Sequence, residues 1–341
     1  MVLKIISLAS SLFFSWPMPI IHSVQQQTVL QERDSTVICQ EQLEKAYLTA
    51  DTSEKKDKIA FVRELDSFLR DLNLVKGSAF CNYQKKSVKK AELTVTKRDH
   101  QNKQNPSQFY YGTEEEMQKK NKEFIEKTKK AKNPPEIYET YLRTNIQSPD
   151  SPLTPEFLQY SYNTIADLFI HERIHDEFNL PLEIEEALCD AAAYHLARDF
   201  FQNRMYRNDL VDDIEVRVQG QLQKAKIIIE TYETLQELYL KKNITAEDRE
   251  KLRTKYFSEI RQKLSNPQIN DAWLNREMYY HKYFHELYLV PLRMELSLKD
   301  MLWWYGSLPT SLEAAEEEIE DWCKTVKCKE ESKEEKQKSK E

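Results

Sequence analysis

Apolar positions along the chain fall mostly into helical spacing. "IAFVRELDSFLRDLNL" (59–74) places Phe61, Val62, Leu65, Phe68, Leu69 and Leu72 on one stripe, so 40–73 reads as helices. "AELTVTK" (91–97) instead alternates, with Leu93 and Val95 on one face, and is the best strand. "QFYYG" (108–112) is a second strand, and the polar "RDHQNKQNPS" between them a loop. A charged helix follows from Glu114 and stops before Pro134 and Pro135. Thr154 and Pro155 supply an N-cap and a first helical residue, predicting a helix that runs through His175. After the short turn "NLP", 182–206 and 212–242 read as two more helices. A fourth, opened by Thr245 with acidic residues in its first turn, completes a long charged hairpin over 212–264. Residues 270–305 are apolar, aromatic and helical in pattern.

Composition sharpens this picture. Only 4 glycines in 341 residues leave few tight turns, which favours long helices. The net charge is −7 with Lys and Glu interspersed, so there is no basic stripe for nucleic acid. An apolar run of about 12 residues from Ile5 to Trp16, after Lys4 and before Pro17, is too short to span a bilayer. It fits a secretory signal over 1–23, and so an exported, periplasmic or secreted protein. Cys39 with Cys81, and Cys323 with Cys328, are pairs that an oxidising compartment allows to bridge, and Cys189 is left as a small buried residue. The predicted organisation is a helical and strand region over 24–150, a helical domain over 151–322 and a disordered charged tail over 323–341.

Candidate chemistry is concentrated in "HERIHDEF" (171–178). His171 and His175 stand one helical turn apart on one face, as two ligands of one zinc ion require. Glu172 lies beside that face, placed to take a proton from a metal-activated water without ligating the metal. Chance gives such spacing in roughly one chain of this length in a hundred, so a third ligand is the test. The next helix offers "EEALCD": Glu186 as ligand, with Asp190 on the same face to accept a hydrogen bond from a ligand histidine. Glu183 is the rival ligand, and Ala191, Ala192 and Ala193 allow the two helices to approach closely. Tyr279, Tyr280 and His281 are candidate donors to a developing oxyanion. His281 and His285 form a further i, i+4 pair, against which stands the plainer reading of an aromatic helix on the core. His195 is off the metal face and reads as structural.

With these stretches in view, the chain resembles the bacterial aminopeptidases of the HExxH, gluzincin type. "FVRELDSFLRDLNLVKGSAFCNY", "IADLFIHERIH", "IEEALCDAAA", "LQELYLKKNITAEDREKLRTKYFSEIR" and "NDAWLNREMYYHKYFHELY" carry the resemblance, in the right order over about 60–310. It departs where Arg173 and Ile174 stand in place of small residues, at Asp271, and through 84–150 apart from "FYYGT". The resemblance implies a mainly α (α+β) fold with a zincin-like helix pair, a small sheet beside the active-site helix, and zinc-dependent hydrolysis of a peptide or protein substrate. A strand near 91–97 or 108–112 would then hold an extended peptide by β-addition. The reading of another class is an inactive zincin-fold scaffold of the cell envelope, binding partners through its long hairpin. A metal-binding chaperone, with zinc but no role for Glu172, is a third.

Overall fold

Helix-forming periodicity and capping residues account for most of the architecture. In the computed structural model the chain is mainly helical, and the structure describes residues 39–84, 89–96, 107–112, 114–130, 136–142 and 151–338. The predicted signal segment 1–23 lies outside these residues, as does the side chain of Cys328, so the Cys323–Cys328 pairing is not described.

Helix α1 covers 39–49 and α2 Ser53–Asp71, the latter capped by Thr52, whose side chain accepts from the Lys55 amide. The apolar stripe of α2 is buried at Ile59, Phe61, Val62, Leu65, Phe68 and Leu69. Strands β1 (Lys89–Thr96), β2 (Ser107–Gly112) and β3 (Glu136–Leu142) form an antiparallel sheet in the order β2-β1-β3, with α3 (Glu114–Lys129) between β2 and β3 in sequence. The sequence reading misses β3. Its "EIYETYL" carries two glutamates and follows two prolines, which is tolerable because β3 pairs on one side only. The pairing also corrects the β-addition reading: β1, the 91–97 candidate, is central with both sides occupied, and only β2 and β3 are edges.

Thr154 does not open the predicted long helix: its hydroxyl accepts from the Phe157 amide at 3.3 Å, ahead of a single 3₁₀ turn, Phe157–Gln159. The chain then extends at Tyr160, and α4 (Tyr162–Ile174) starts afresh from Ser161, whose hydroxyl accepts from the Thr164 amide. A seven-residue connection leads to α5 (Leu182–Asp199), which ends in one π-helical turn, Phe200–Arg204. Helices α6 (Asn208–Leu240) and α7 (Ala246–Lys263) form the hairpin, with Thr245 capping α7 through the Asp248 amide. The aromatic segment splits into α8 (Asp271–His281), α9 (Phe284–Arg293) and α10 (Leu298–Ser307). Helix α11 runs from Leu312 to Lys338, so the backbone is helical where the sequence predicts a disordered tail. Its Lys, Glu and Gln are good helix formers, and a charged composition excludes burial rather than helix.

The main core gathers α2, α4, α5, α9 and α10 around Leu65, Phe80, Phe169, Leu188, Phe200, Leu287 and Tyr305. A smaller core joins the hairpin to α8 through Ile228, Leu235, Phe257, Ile260 and Trp273. The sheet packs on α3 and α8, so α8 stands between it and the α4–α5 pair, and the sheet is not directly beside α4 as the resemblance implied. Arg253 ties these parts together. Its guanidinium donates to Asp271 of α8 at 2.7 Å and to Glu136 of β3, while Tyr239 donates to Asp271 at 2.8 Å. Asn270, the α8 cap, donates to the Ile137 carbonyl at 3.0 Å.

Candidate metal centre

Helices α4 and α5 pack tightly because Ala187, Ala191 and Ala192 put methyl groups rather than larger side chains at their buried faces. That approach brings His171 and His175 of the α4 end against Glu186, one turn into α5. His171 Nε2 lies 3.1 Å from His175 Nε2 and 3.3 Å from Glu186 Oε2, and His175 Nε2 lies 3.7 Å from that same oxygen. Ligand atoms about 2.0–2.1 Å from a tetrahedral ion stand about 3.3 Å from one another. The three lone-pair atoms therefore have the spacing of one tetrahedral face, with a fourth corner left over.

Each imidazole is held from behind. His171 Nδ1–H donates to Asp190 Oδ1 at 2.8 Å, and His175 Nδ1–H donates to Glu185 Oε1 at 2.9 Å. Both Nε2 atoms are thereby left as acceptors toward the shared point. Sequence reasoning names Asp190 and misses Glu185. The signal was the doublet Glu185–Glu186, two carboxylates about 100° apart on one helix, one on each side of the His175 ring.

The charges fit a cation. Burial works against protonating His171, yet the carboxylates of Asp190 and Glu186 outweigh it and raise its pKa well above the ordinary histidine value. His175 is raised too, by Glu185 against its burial. Glu186 is held below the usual carboxylate range by the two histidines, although burial alone would push it up. Two imidazolium rings cannot both point a proton across 3.1 Å. A single divalent ion meets all three atoms at once and displaces protons in doing so. The residues present thus fit zinc in type, number and spacing.

The other predicted residues fall elsewhere. Glu172 is half-buried beside the histidine face, close enough for its charge to act on His175. Glu183 is not among the clustered ligand atoms; its charge acts on Tyr279 and Tyr283 instead. His281 is buried, and its Nε2 lies 3.3 Å from Glu277 Oε2. Glu277 also receives Lys224 at 2.7 Å and Arg276 at 3.0 Å. Despite burial, the hydrogen bond from His281 and the charges of Lys224 and Arg276 bring the Glu277 carboxyl down to about 2. His281 is thus part of an interior ion cluster. The oxyanion reading is left to Tyr279, half-buried near Glu183, and Tyr280, whose ring lies 5.1 Å from the Arg276 guanidinium. The chain breaks at Lys282 and Tyr283, which puts His285 on α9, half-exposed beside Glu286; His281 and His285 do not share a helix face. His195 donates from Nε2 to the Tyr288 carbonyl at 3.0 Å and stacks on that ring, a structural role.

Arg173, inside the HExxH stretch, is only 1% exposed and points away from the histidines. It donates to Asp66, itself fully buried, and from Nη1 to Cys81 Sγ at 3.3 Å. Cys39 and Cys81 form a disulfide at this spot. The bridge excludes a second candidate metal group, Cys39–Asp66–Cys81, whose sulfurs are spent on each other. Among the described residues no helix is long and apolar enough to cross a membrane.

No family model matches the chain, and neither a curated protein nor a solved structure does.

Proposed function

We propose that the chain is a zinc-dependent peptidase of the HExxH, gluzincin-like kind, exported from the cell and acting on peptide or protein substrates. The observation that carries this reading is the convergence of His171 Nε2, His175 Nε2 and Glu186 Oε2 to within 3.7 Å, each imidazole backed by its own carboxylate. These three residues would hold the ion, and Asp190 and Glu185 would fix the two rings. When bound, the ion supplies Lewis acidity toward a carbonyl and toward water. Glu172 then takes the proton of the attacking water and returns it to the departing amine. Tyr280 is the side chain proposed to donate to the developing oxyanion.

The test has two arms. Purified full-length protein should carry about one equivalent of zinc, lost in His171→Ala, and should digest a peptide library in a chelator-sensitive manner. Glu172→Gln keeps size and hydrogen bonding but cannot take a proton. It should keep its zinc while turnover falls by about 10²–10⁴. Zinc with no Glu172 effect would point to a binding protein, and carefully purified protein free of zinc would point to the scaffold reading.

A further inference from the structure

The loop after α2 (72–84) grips the last turn of α4, the turn that ends at His175. Three contacts make the grip. Gly77 lies so close that a Cβ there would stand 3.0 Å from the Arg173 carbonyl oxygen and 3.1 Å from Asp176 Oδ2. The Lys76 amide donates to Glu177 Oε1 at 2.7 Å, and its ammonium donates to the Glu177 carbonyl at 3.0 Å. Cys81, at the far end of the loop, accepts from Arg173 at 3.3 Å.

The loop is in turn held in place. Phe80 adopts φ 63°, a left-handed backbone that bulky residues rarely take. It is fully buried and stacks on Phe157 at 4.4 Å and on Phe169 of α4 at 5.8 Å. The disulfide ties Cys81 to Cys39 at the start of α1. Asp66 collects Arg173 of α4, Gln40 of α1 and Arg70 of its own helix, the last at 2.7 Å. Residues 173, 176 and 177 flank His175 on both sides in sequence. Whatever moves the loop therefore moves that ligand. His171 stands one turn earlier, away from the loop contacts; both rings are also hydrogen-bonded to α5, His171 through Asp190 and His175 through Glu185.

We infer that the Cys39–Cys81 bridge, acting through its loop and Arg173, positions His175, so that closing the bridge raises the metal affinity of the His171–His175–Glu186 centre. This rests on the metal reading above. Closing the bridge takes two protons and two electrons from the thiol pair, to a disulfide such as oxidised glutathione or to a thiol oxidase. The chain would then reach full metal affinity only where thiols are oxidised. Arg173 and Gly77 are positioning residues and touch neither metal nor substrate.

The experiment measures zinc dissociation constants by competition with a chromogenic chelator, on full-length protein whose folding is followed by circular dichroism. Wild type is compared with the Cys39→Ala/Cys81→Ala pair and with Gly77→Ala, which keeps the bridge but inserts one methyl against α4. We expect zinc to bind about 10-fold more weakly without the bridge, and measurably more weakly in Gly77→Ala. A purely structural clasp would lower the unfolding temperature and leave the affinity of folded protein unchanged; that result overturns the inference. Where the paired variant does not fold, wild type alone decides by reciprocity. Zinc saturation must shift its thiol–disulfide equilibrium in glutathione buffer toward the bridge by the same factor. No shift overturns the inference while leaving the metal site standing. Wild type that binds no zinc overturns both, and the zinc content of wild type tells the two failures apart.

Discussion

The two faces of α4 bury charge in opposite ways. On one, three carboxylates, Glu185, Glu186 and Asp190, surround two imidazoles whose Nε2 atoms face each other. On the other, the single carboxylate of Asp66 is shared by two guanidiniums, Arg70 and Arg173. The second cluster sets two guanidiniums against one carboxylate, so positive charge is in excess there and no cation is called for; Asp66 and Arg173 are sealed from solvent. The first has lone pairs and negative charge in excess, and an added cation completes it. Buried charge on its own therefore does not mark function; the sign of what is left over does. Arg173 lies inside the HExxH stretch yet belongs to the second cluster, because its position faces the core.

Removing a charge from each face should give different losses. The largest effect is expected from Glu186→Gln, which takes a ligand and an anion from the metal face. Its protein should emerge from gel filtration without zinc, while Glu183→Gln keeps a full equivalent by metal analysis. A reversed pattern would mean that the helix phase is misassigned. On the opposite face, Arg173→Met should cost folding stability. Loss of one partner from a buried pair costs about 3–5 kcal/mol, and Arg70 still neutralises Asp66, so about 3 kcal/mol is expected in urea unfolding.

A histidine away from both faces supplies a pH contrast. Burial lowers the His195 pKa to about 4 from 6.5, although its hydrogen bond to the Tyr288 carbonyl works the other way. The unfolded chain therefore binds a proton between these values while the native chain does not. Stability contributed by this group is full above about pH 6.5 and is lost as the pH falls toward 4, by up to about 3 kcal/mol. His195→Gln, which cannot titrate, should flatten that part of the stability–pH curve relative to wild type. An unchanged slope would assign it to other groups. The smallest effects belong to the side chains behind the ligands: Asp190→Asn and Glu185→Gln should each weaken zinc binding by about 10- to 100-fold in chelator competition. An effect of Glu185→Gln as large as that of Glu186→Gln would make Glu185 a ligand and redraw the metal face.

How much of this was legible in the sequence depended on distance along the chain. Periodicity marks α2 and α5 to α7, and alternation marks β1 and β2, because each depends on neighbours a few residues away. The start of α4 is misplaced: Thr154 with Pro155 is a sound cap signal, yet it serves one turn before Ser161 caps the helix proper. Strand β3 escapes because its pattern is weak, and β1 reads as an edge because sequence does not count pairing partners. At the site, 171, 172 and 175 share a neighbourhood by helix geometry, while 186 is preferred over Glu183 only through its spacing from Asp190. Glu185 does not follow from either, since which carboxylate of a doublet turns toward a ring is set by the crossing of two helices. Nor does the role of Arg173, whose partner Asp66 lies 107 residues away. The break at 282–283, which separates His281 from His285, has no marker comparable to a proline or glycine.

That separation bears on the order of assembly. The metal face closes within the segment 171–190, and its two histidine–carboxylate bonds join positions 10 and 19 apart. The Arg173–Asp66 contact closes a loop of 107. Loop-closure entropy makes the longer closure costlier by about 2 kcal/mol, and contacts near in sequence form sooner. A helical hairpin with its ligands already facing one another should therefore form before the disulfide region reaches it from the other side. During synthesis the order differs, since Cys39, Asp66 and Cys81 emerge first and wait for α4 to arrive. A chain refolded from denaturant and a newly made chain would thus reach the same centre from opposite ends, and early zinc would hasten only the first.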